Sequence, residues 1–202
     1  MRKLLHLCIV GFYYFQMVRF IPAYLTYCYN KKILEPDFIV WRKYLGFGKK
    51  SEVVSFFSIF SKYKEYRFAF YFRLGYDSRC ISWIAPADPT IHYNNGEIGD
   101  GFFINHGHST QINAKRIGKN FQIWHNVTIG VKTQFQHDSI PTIGDNVKIC
   151  SGAVVCGDIT IGNNVTIGAN SVVMKSVPDN CVVVGNPAYI VYRDGNRVNE
   201  KL

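Results

Sequence analysis

The sequence predicts a mainly β protein, built on a parallel β-helix and preceded by a helical region. From Ile143 to Val173 an aliphatic residue stands at every sixth position, and a small residue often follows it. Neither the 3.6-residue period of an α-helix nor the alternation of a lone strand requires that spacing. Six-residue units are typical of a coil with three short faces, in which aliphatic side chains point inward and stack about 18 residues apart.

The charge and the aromatic residues divide the chain into two parts. Residues 1 to 89 contain 14 Lys and Arg against 6 Asp and Glu, whereas residues 90 to 202 contain 9 against 8. Of the 31 aromatic residues, 23 also precede residue 90. A basic front half suits anionic lipid, nucleic acid or an acidic substrate. No helix-turn-helix, zinc or ribonucleoprotein motif accompanies the charge, which argues against nucleic acid.

The first 30 residues allow two interpretations. No charged residue lies between Lys3 and Arg19, but this run is too short for a membrane span, and Arg19 and Pro22 interrupt its continuation. Either helices here pack on one another and on the β-helix, or an amphipathic element lies on the membrane surface. The protein is expected to be cytoplasmic, with contact to the inner face of the membrane left open.

Two further helices are predicted in the front half. One is expected to begin at Pro36 and Asp37, because proline suits the first turn of a helix. The other is expected to span residues 51 to 75, with Ser51 as its N-cap and Gly75 as its stop. The lysines and arginines of this half are expected to form a solvated face.

Between residues 90 and 142 the six-residue spacing is present but irregular. The spacing of 13 between Ile104 and Ile117 predicts a bulge near Asn113 to Lys115. The spacing of 14 between Ile129 and Ile143 predicts an outward loop, which in solenoids commonly shapes a binding cleft.

The residues that bear chemistry are Asn105, His106 and His108. Coil turns normally hold small or aliphatic residues, so this polar cluster is unfavourable unless it is solvated or used. A neutral imidazole can accept the proton of a hydroxyl that attacks a carbonyl, which makes histidine a general-base candidate. The alternative is a hydrogen-bonded surface histidine.

Three segments carry a resemblance to a known family: IHYNNGEIGDGFFINHGHS, the loop ahead of PTIGDNV, and VVGNPAYIV. They resemble the serine acetyltransferase group of hexapeptide acyltransferases, and more closely its relatives that O-acetylate sugars of surface polysaccharides. The resemblance implies a left-handed β-helix, a homotrimer, and acetyl-CoA bound between subunits. It also implies that His106 is the general base, while Asn105 stands where the family usually has Asp.

The resemblance further implies contacts to the acyl donor. Ser151 and Ala169 occupy hexad positions where the family binds the pantetheine arm through backbone groups, and Lys175 is a candidate partner for a CoA phosphate. The loop beside the thiol end of CoA is expected to begin with Gly130, Val131 and Lys132. The closing turn, near the adenine end of CoA, is expected to contain Gly185, Asn186, Pro187 and Ala188.

Departures from the family pattern concern the acceptor. Serine-acetylating members carry Asp in a DIHP segment and His in an RHP segment; here the segments read TIHY, with Thr90, and SIPT, with Ile140. A zwitterion needs paired charges, so these changes favour an uncharged hydroxyl. Trp124 and Phe135 are candidates for stacking on a sugar ring, with core or trimer packing as the alternative. The expected acceptor residues are His108, Thr90, His92, Trp124 and His137.

The sequence therefore predicts an acetyl-CoA-dependent O-acetyltransferase that acts on a hydroxyl of a sugar or lipid-linked saccharide, a precursor of surface polysaccharide. The alternatives are a serine O-acetyltransferase of cysteine biosynthesis and a non-catalytic trimeric scaffold. No residues have the spacing of a metal site. The expected domains are a helical region (1–89), a β-helix (90–192) and a polar C-terminal tail (193–202).

Overall fold

The computed structural model describes residues 17–133 and 138–202. The predictions for residues 1–16, Phe135 and His137 therefore lie outside the described residues. The chain divides into two compact units, Met1–Ala87 and Asp88–Leu202.

The first unit is helical in its described part, as predicted. None of its described helices is long and apolar enough to cross a membrane. Its elements are α1 (Ile21–Tyr29), α2 (Lys31–Tyr44), α3 (Glu52–Lys62), α4 (Lys64–Leu74), a 3-10 helix (Gly75–Ser78) and α5 (Arg79–Ile84).

The predicted start of the second helix at Pro36 is wrong, because α2 begins at Lys31 and contains Pro36. Leu34 and Phe38 lie on its buried face. Packing on both sides of the proline outweighs the one backbone hydrogen bond, near the helix start, that proline cannot donate.

The predicted helix over residues 51–75 is two helices. Ser51 caps α3 by accepting a hydrogen bond from the Val54 N–H (3.4 Å), and Gly75 ends α4 with φ of 58°, both as expected. Tyr63 is extended between them. This break lets the Arg67 guanidinium reach the Phe60 and Ser61 carbonyls, at 2.8 and 3.2 Å, and these carbonyls lie at the end of α3 where intrahelical donors are lacking.

Not all basic side chains of this unit are solvated, contrary to expectation. Arg67 is 5 % exposed, and burial lowers its pKa. Arg73 forms two bonds to the buried Asp37 carboxylate, from Nε (2.8 Å) and Nη2 (3.0 Å). The core of this unit consists largely of aromatic side chains with 0–2 % exposure: Tyr27, Phe38, Trp41, Phe56, Phe60, Tyr66 and Phe70.

The second unit is the predicted solenoid of parallel strands. Its strands are β1 (Ile91–Ile98), β2 (Phe103–Asn105), β3 (Thr110–Ile117), β4 (Gln122–Trp124), β5 (Thr128–Gly130), β6 (Thr142–Ile143), β7 (Lys148–Ile149), β8 (Val154–Cys156), β9 (Thr160–Ile161), β10 (Thr166–Ile167), β11 (Val172–Val173), β12 (Cys181–Val184), β13 (Tyr189–Arg193) and β14 (Asn196–Lys201).

The strands form three faces. One sheet contains β2, β4, β7, β10 and β12 in that order. The other contains two faces joined by the long strand β3, whose first half pairs with β5 and whose second half pairs with β6. We call the face formed by the first half of β3 with β5, β8 and β11 the β5 face, and the face formed by β2, β4, β7, β10 and β12 the lead-in face.

The six-residue prediction is confirmed in the core. The six aliphatic residues that define it are at most 1 % exposed: Ile143, Ile149, Val155, Ile161, Ile167 and Val173. Ile149 pairs with Ile167, one coil of 18 residues further on. The predicted bulge is also present, because the pairing of β1 with β3 shifts register between Asn113 and Arg116.

One corner of the coils carries an amide ladder. In four successive coils an asparagine with φ of 56–58° donates from Nδ2 to the side-chain oxygen of the next rung, at 2.9 to 3.0 Å. The last rung is an aspartate. The rungs are Asn120, Asn146, Asn164, Asn180 and Asp194. Asparagine suits this corner because it adopts left-handed backbone angles more readily than most residues.

The C-terminal segment is not a tail. Residues Asn196–Lys201 form β14, which pairs antiparallel with β13, and β13 pairs antiparallel with β12. The antiparallel hairpin ends the series of parallel coils.

Candidate active site

His106 lies at a sharp turn directly after β2. Its φ is 51°, a left-handed conformation that is costly for a residue with a Cβ, and its side chain is exposed. Asn105, the last residue of β2, is half-buried and pairs in register with Trp124 of β4. The turn therefore presents the imidazole of His106 to solvent, while Asn105 belongs to the sheet.

Thr90 and Asp88 hold the far side of this turn. Asp88 Oδ1 accepts hydrogen bonds from the N–H and the hydroxyl of Thr90, at 2.9 and 2.7 Å. The Thr90 Oγ1 in turn accepts the N–H of Ser109, at 3.0 Å, and Ser109 is the second left-handed residue of the turn, with φ of 55°. A carboxylate is thus linked through one hydroxyl to the loop that carries His106.

His108 and His125 lie on successive coils with stacked rings. Their centroids are 4.8 Å apart and their planes differ by 11°. The Nδ1 of His125 lies 3.4 Å from the Ser151 Oγ on the next coil. The N–H of Asn126 donates to the His108 carbonyl (2.9 Å), which fixes the two turns against each other. Three polar side chains therefore form a column next to His106.

The other predicted donor residues continue this column. Ala169 is exposed, one coil beyond Ser151, and the Asn170 N–H donates to the Ser151 carbonyl at 2.9 Å. That carbonyl keeps a second lone pair for a ligand. Gly185, Asn186 and Pro187 are exposed directly after β12, whereas Ala188 is 5 % exposed and belongs to the packing of the hairpin. We call this corner, where the lead-in face ends and the β5 face begins, the histidine corner.

A second group of predicted residues lies at the other end of the β5 face. Gly130 ends β5 and pairs with Cys156 of β8, and Val131 and Lys132 follow it. Burial raises the pKa of the Cys156 thiol, and the exposed Lys132 offsets only part of this rise. Lys175 is exposed shortly after β11 on the same face. We call this end the lysine corner.

The structure thus divides the predicted site residues between two corners. His92 is exposed on β1 and pairs with Gln111, and no described contact brings its side chain to the turn of His106. Trp124 is half-buried, and its backbone carbonyl accepts the Thr110 hydroxyl at 3.1 Å, which ties the end of β4 to the start of β3. No group of three or more His, Cys, Asp or Glu residues suited to a metal ion occurs within residues 17–133 and 138–202.

Sequence reasoning missed Asp88, Ser109 and His125. His125 follows His108 by 17 residues, the same separation as that between the paired residues Ile112 and Ile129. That spacing was the available signal. Asp88 lies in a loop, and no repeat pattern there indicates a partner for Thr90.

Comparisons with known proteins show which proteins this chain resembles. Residues 140–175 match the family described as bacterial transferase hexapeptide (six repeats). A serine acetyltransferase of Staphylococcus xylosus is 48 % identical over 125 residues, which are 61 % of this chain and 58 % of that protein. The chain thus matches less than two thirds of the length of this relative.

Solved structures agree with the sequence match. The serine acetyltransferase of Neisseria gonorrhoeae superposes with a TM-score of 0.61 and 26 % identity, over 83 % of this chain and 66 % of that one. A serine acetyltransferase in complex with CoA superposes with a TM-score of 0.57 and 25 % identity, over 82 % and 72 %. All three proteins bear the name of the alternative predicted from sequence, and none bears that of a polysaccharide O-acetyltransferase. The chain is therefore similar to serine acetyltransferases in sequence as well as in fold.

Proposed function

We propose that the protein is an acetyl-CoA-dependent O-acetyltransferase of the serine acetyltransferase type, with His106 as its general base. The observation that carries this proposal is the turn after β2, where an exposed imidazole is held in a left-handed conformation and anchored on both sides. Strained conformations that persist in a fold tend to occur at functional sites. The similarity to serine acetyltransferases supplies the reaction.

In the proposed mechanism, His106 accepts the proton of the acceptor hydroxyl as that oxygen attacks the thioester carbonyl of acetyl-CoA. The tetrahedral intermediate then collapses with cleavage of its C–S bond, so the acetyl group stays on the acceptor oxygen. The thiolate of CoA leaves and takes the proton from the His106 imidazolium. Backbone N–H groups at the coil corners are suited to stabilise the oxyanion, a contribution of about 3 kcal/mol per donor in other enzymes. No acetylated cysteine is required, since the attack is direct.

The two corners suggest how the donor is bound. The histidine and lysine corners lie at opposite ends of the β5 face, so a ligand that uses both must lie along that face or between two copies of the chain. We propose the second arrangement, a homotrimer in which the histidine corner of one subunit meets the lysine corner of the next. Lys132 and Lys175 would then face the phosphates of CoA, which carry the charge that lysine complements. Acetyl-CoA as the donor agrees with the CoA complex of the similar enzyme.

We propose L-serine as the first acceptor. Thr90 removes a carboxylate from the position that the family resemblance assigns to the acceptor, but Asp88 lies within 2.7 Å of its hydroxyl and supplies one. Asp88 uses Oδ1 for both bonds to Thr90. The carboxylate charge thus remains beside the turn, where it can pair with the ammonium group of serine.

A saccharide hydroxyl is the second candidate. It is favoured by Ile140, which is 3 % exposed and offers no charge for a serine carboxylate. In this case Asp88 would serve to hold Thr90 and would accept sugar hydroxyls. The comparisons give no support to a polysaccharide acceptor, so it ranks behind serine.

The general base is tested with His106→Asn. Asparagine adopts left-handed angles at several other turns of this coil, so the variant keeps the turn and loses the base. We expect kcat to fall by about a hundredfold or more, with CoA binding and the oligomer retained. His108→Ala is the matched control, since it removes a neighbouring imidazole. Undiminished turnover in His106→Asn would exclude His106 as the base. Absence of acetyl-CoA binding by the wild type would favour the alternative of a non-catalytic trimeric scaffold.

The acceptor is tested with Asp88→Asn, in which the amide oxygen still accepts both bonds from Thr90. If the acceptor is serine, KM for serine should rise by about tenfold, because a charge-assisted bond is lost. KM for acetyl-CoA should not change. Release of free CoA is measured with serine and with a panel of nucleotide sugars and lipid-linked saccharides. Turnover with a saccharide and none with serine would reverse the order of the two acceptors.

A further inference from the structure

The outward face of α1 has no charged side chain. Ile21, Leu25 and Tyr29 recur at intervals of four residues, so they lie on one side of the helix, and they are 43, 61 and 90 % exposed. Pro22 and Cys28 are the other exposed residues of α1. The opposite side buries Ala23 and Tyr27 in the aromatic core. α1 is thus apolar on both sides, whereas a surface helix normally presents a polar face to water.

The neighbouring helix α2 shows the ordinary arrangement. Its two exposed isoleucines, Ile33 and Ile39, are 50 and 54 % exposed, and Ile39 lies on the same side of the helix as the exposed Lys32 and Lys43. Single apolar residues among charges need no explanation. The apolar face of α1 therefore differs from its neighbour in composition and not only in exposure.

The helical unit that contains α1 is basic. Residues 17 to 87 hold 12 lysines and arginines against 5 acidic residues. In the sequence that leads into α1, residues 4 to 18 contain no Lys, Arg, Asp or Glu, and Val18 is 58 % exposed. The apolar composition therefore continues towards the N-terminus, within a unit whose net charge is positive.

We propose that the exposed face of α1 docks on an anionic lipid bilayer, with Ile21, Leu25 and Tyr29 at the boundary between headgroups and acyl chains. Charge decides between the possible occupants. A second copy of the chain would bring two basic units together, and they would repel each other. An anionic membrane surface instead attracts lysines and arginines while it accepts the apolar face.

The dimensions of α1 require it to lie along the surface. Its 9 residues extend about 14 Å, which is roughly half of the hydrocarbon thickness of a bilayer. A helix of this length with an apolar outer face and a basic surrounding unit is suited to peripheral binding. Docking in this way would place the acetyltransferase at a membrane surface, whichever acceptor it uses.

The test is sedimentation of the full-length protein with vesicles. Phosphatidylcholine vesicles are compared with vesicles that also contain phosphatidylglycerol, at low and at high salt. We expect binding to the anionic vesicles that weakens with salt. In Leu25→Glu we expect binding to fall by about tenfold or more, because a leucine that would enter the bilayer is replaced by a charge. Ile39→Glu is the matched control, since it adds the same charge at an equally exposed isoleucine, and it should lower binding much less.

Three outcomes would overturn the proposal. The first is no binding of the wild type to anionic vesicles, and the second is an equal loss of binding in Leu25→Glu and Ile39→Glu. The third is that Leu25→Glu forms a smaller oligomer than the wild type by light scattering, while the wild type binds no vesicles. This result would assign the face to contact with a second copy of the chain. Tyr29→Ser is a second variant of the same face and should also lower vesicle binding. It is not expected to misfold, because that side chain is 90 % exposed and its loss leaves the core intact.

Discussion

Replacing Thr90 with valine would remove one oxygen from the turn that carries His106. The variant loses the bond from the Ser109 N–H (3.0 Å) and the bond to Asp88 Oδ1 (2.7 Å), while the backbone bonds of residue 90 remain. The turn contains two left-handed residues, His106 and Ser109, each of which costs about 1 to 2 kcal/mol. The hydroxyl therefore helps to hold a conformation that the backbone alone disfavours.

The expected loss follows from the exposure of Thr90. Because water can replace a bond at an exposed group, the bond from Ser109 contributes about 1 kcal/mol. A loss of that size in the population of the competent turn corresponds to a fall of roughly fivefold in rate. We expect kcat to fall by about fivefold to tenfold, with KM for acetyl-CoA unchanged. Thr90→Ser keeps the hydroxyl and should stay close to the wild type.

The assay is the rate of CoA release over a range of acceptor and acetyl-CoA concentrations. Thermal unfolding of each variant is measured alongside, since the lost bond should lower Tm by only a few degrees. Wild-type kcat in Thr90→Val would refute the proposed role of the hydroxyl. An equal loss in Thr90→Ser and Thr90→Val would assign the effect to the packing of the methyl group instead.

Two further predictions concern stability. In Gly118→Ala the new Cβ would lie 2.2 Å from Asp145 Oδ1 and 2.6 Å from the backbone of the next coil. We therefore expect a loss of about 3 kcal/mol or more in the free energy of unfolding. A denaturation midpoint equal to that of the wild type would show that the coils can separate there. In Asp37→Asn the buried guanidinium of Arg73 loses its counter-charge, and we expect a loss of about 3 to 5 kcal/mol by urea unfolding. Asp158→Asn, at an exposed ion pair, should lose less than about 1 kcal/mol, and similar losses in both variants would contradict the assigned role of burial.

The coil could be predicted from sequence because its periodicity is local. Each inward residue is specified by its own hexad, and Ile149 and Ile167 stack simply because the coil has a constant length. The position of His106 was equally accessible, since a polar cluster breaks the repeat. The side chains that stack on one another near the site could not all be predicted, because the insertion and the bulge change the length of a coil. His125 and Ser151 are 26 residues apart in sequence and yet adjacent in space.

The helical unit was predictable in kind but not in its boundaries. Pro36 is a strong local signal for a helix start, yet the burial of Leu34 extends α2 beyond it. Tyr63 carries no signal for a break at all. Its extended backbone allows a tertiary contact, the hydrogen bonds from Arg67 to the carbonyls at the end of α3. Tertiary contacts of this kind override local propensity.

The amide ladder has a direction, and Asp194 ends it. Each of Asn146, Asn164 and Asn180 donates one hydrogen bond and accepts another, so an asparagine at the last rung would leave an N–H group free to bind a further coil. A carboxylate can only receive, and the hairpin of β13 and β14 covers the strand that such a coil would need. The outer strand of the hairpin, β14, carries Arg197, Glu200 and Lys201, charges that disfavour pairing with another chain. Solenoid length is thereby limited to one molecule, and growth into end-to-end fibres is opposed.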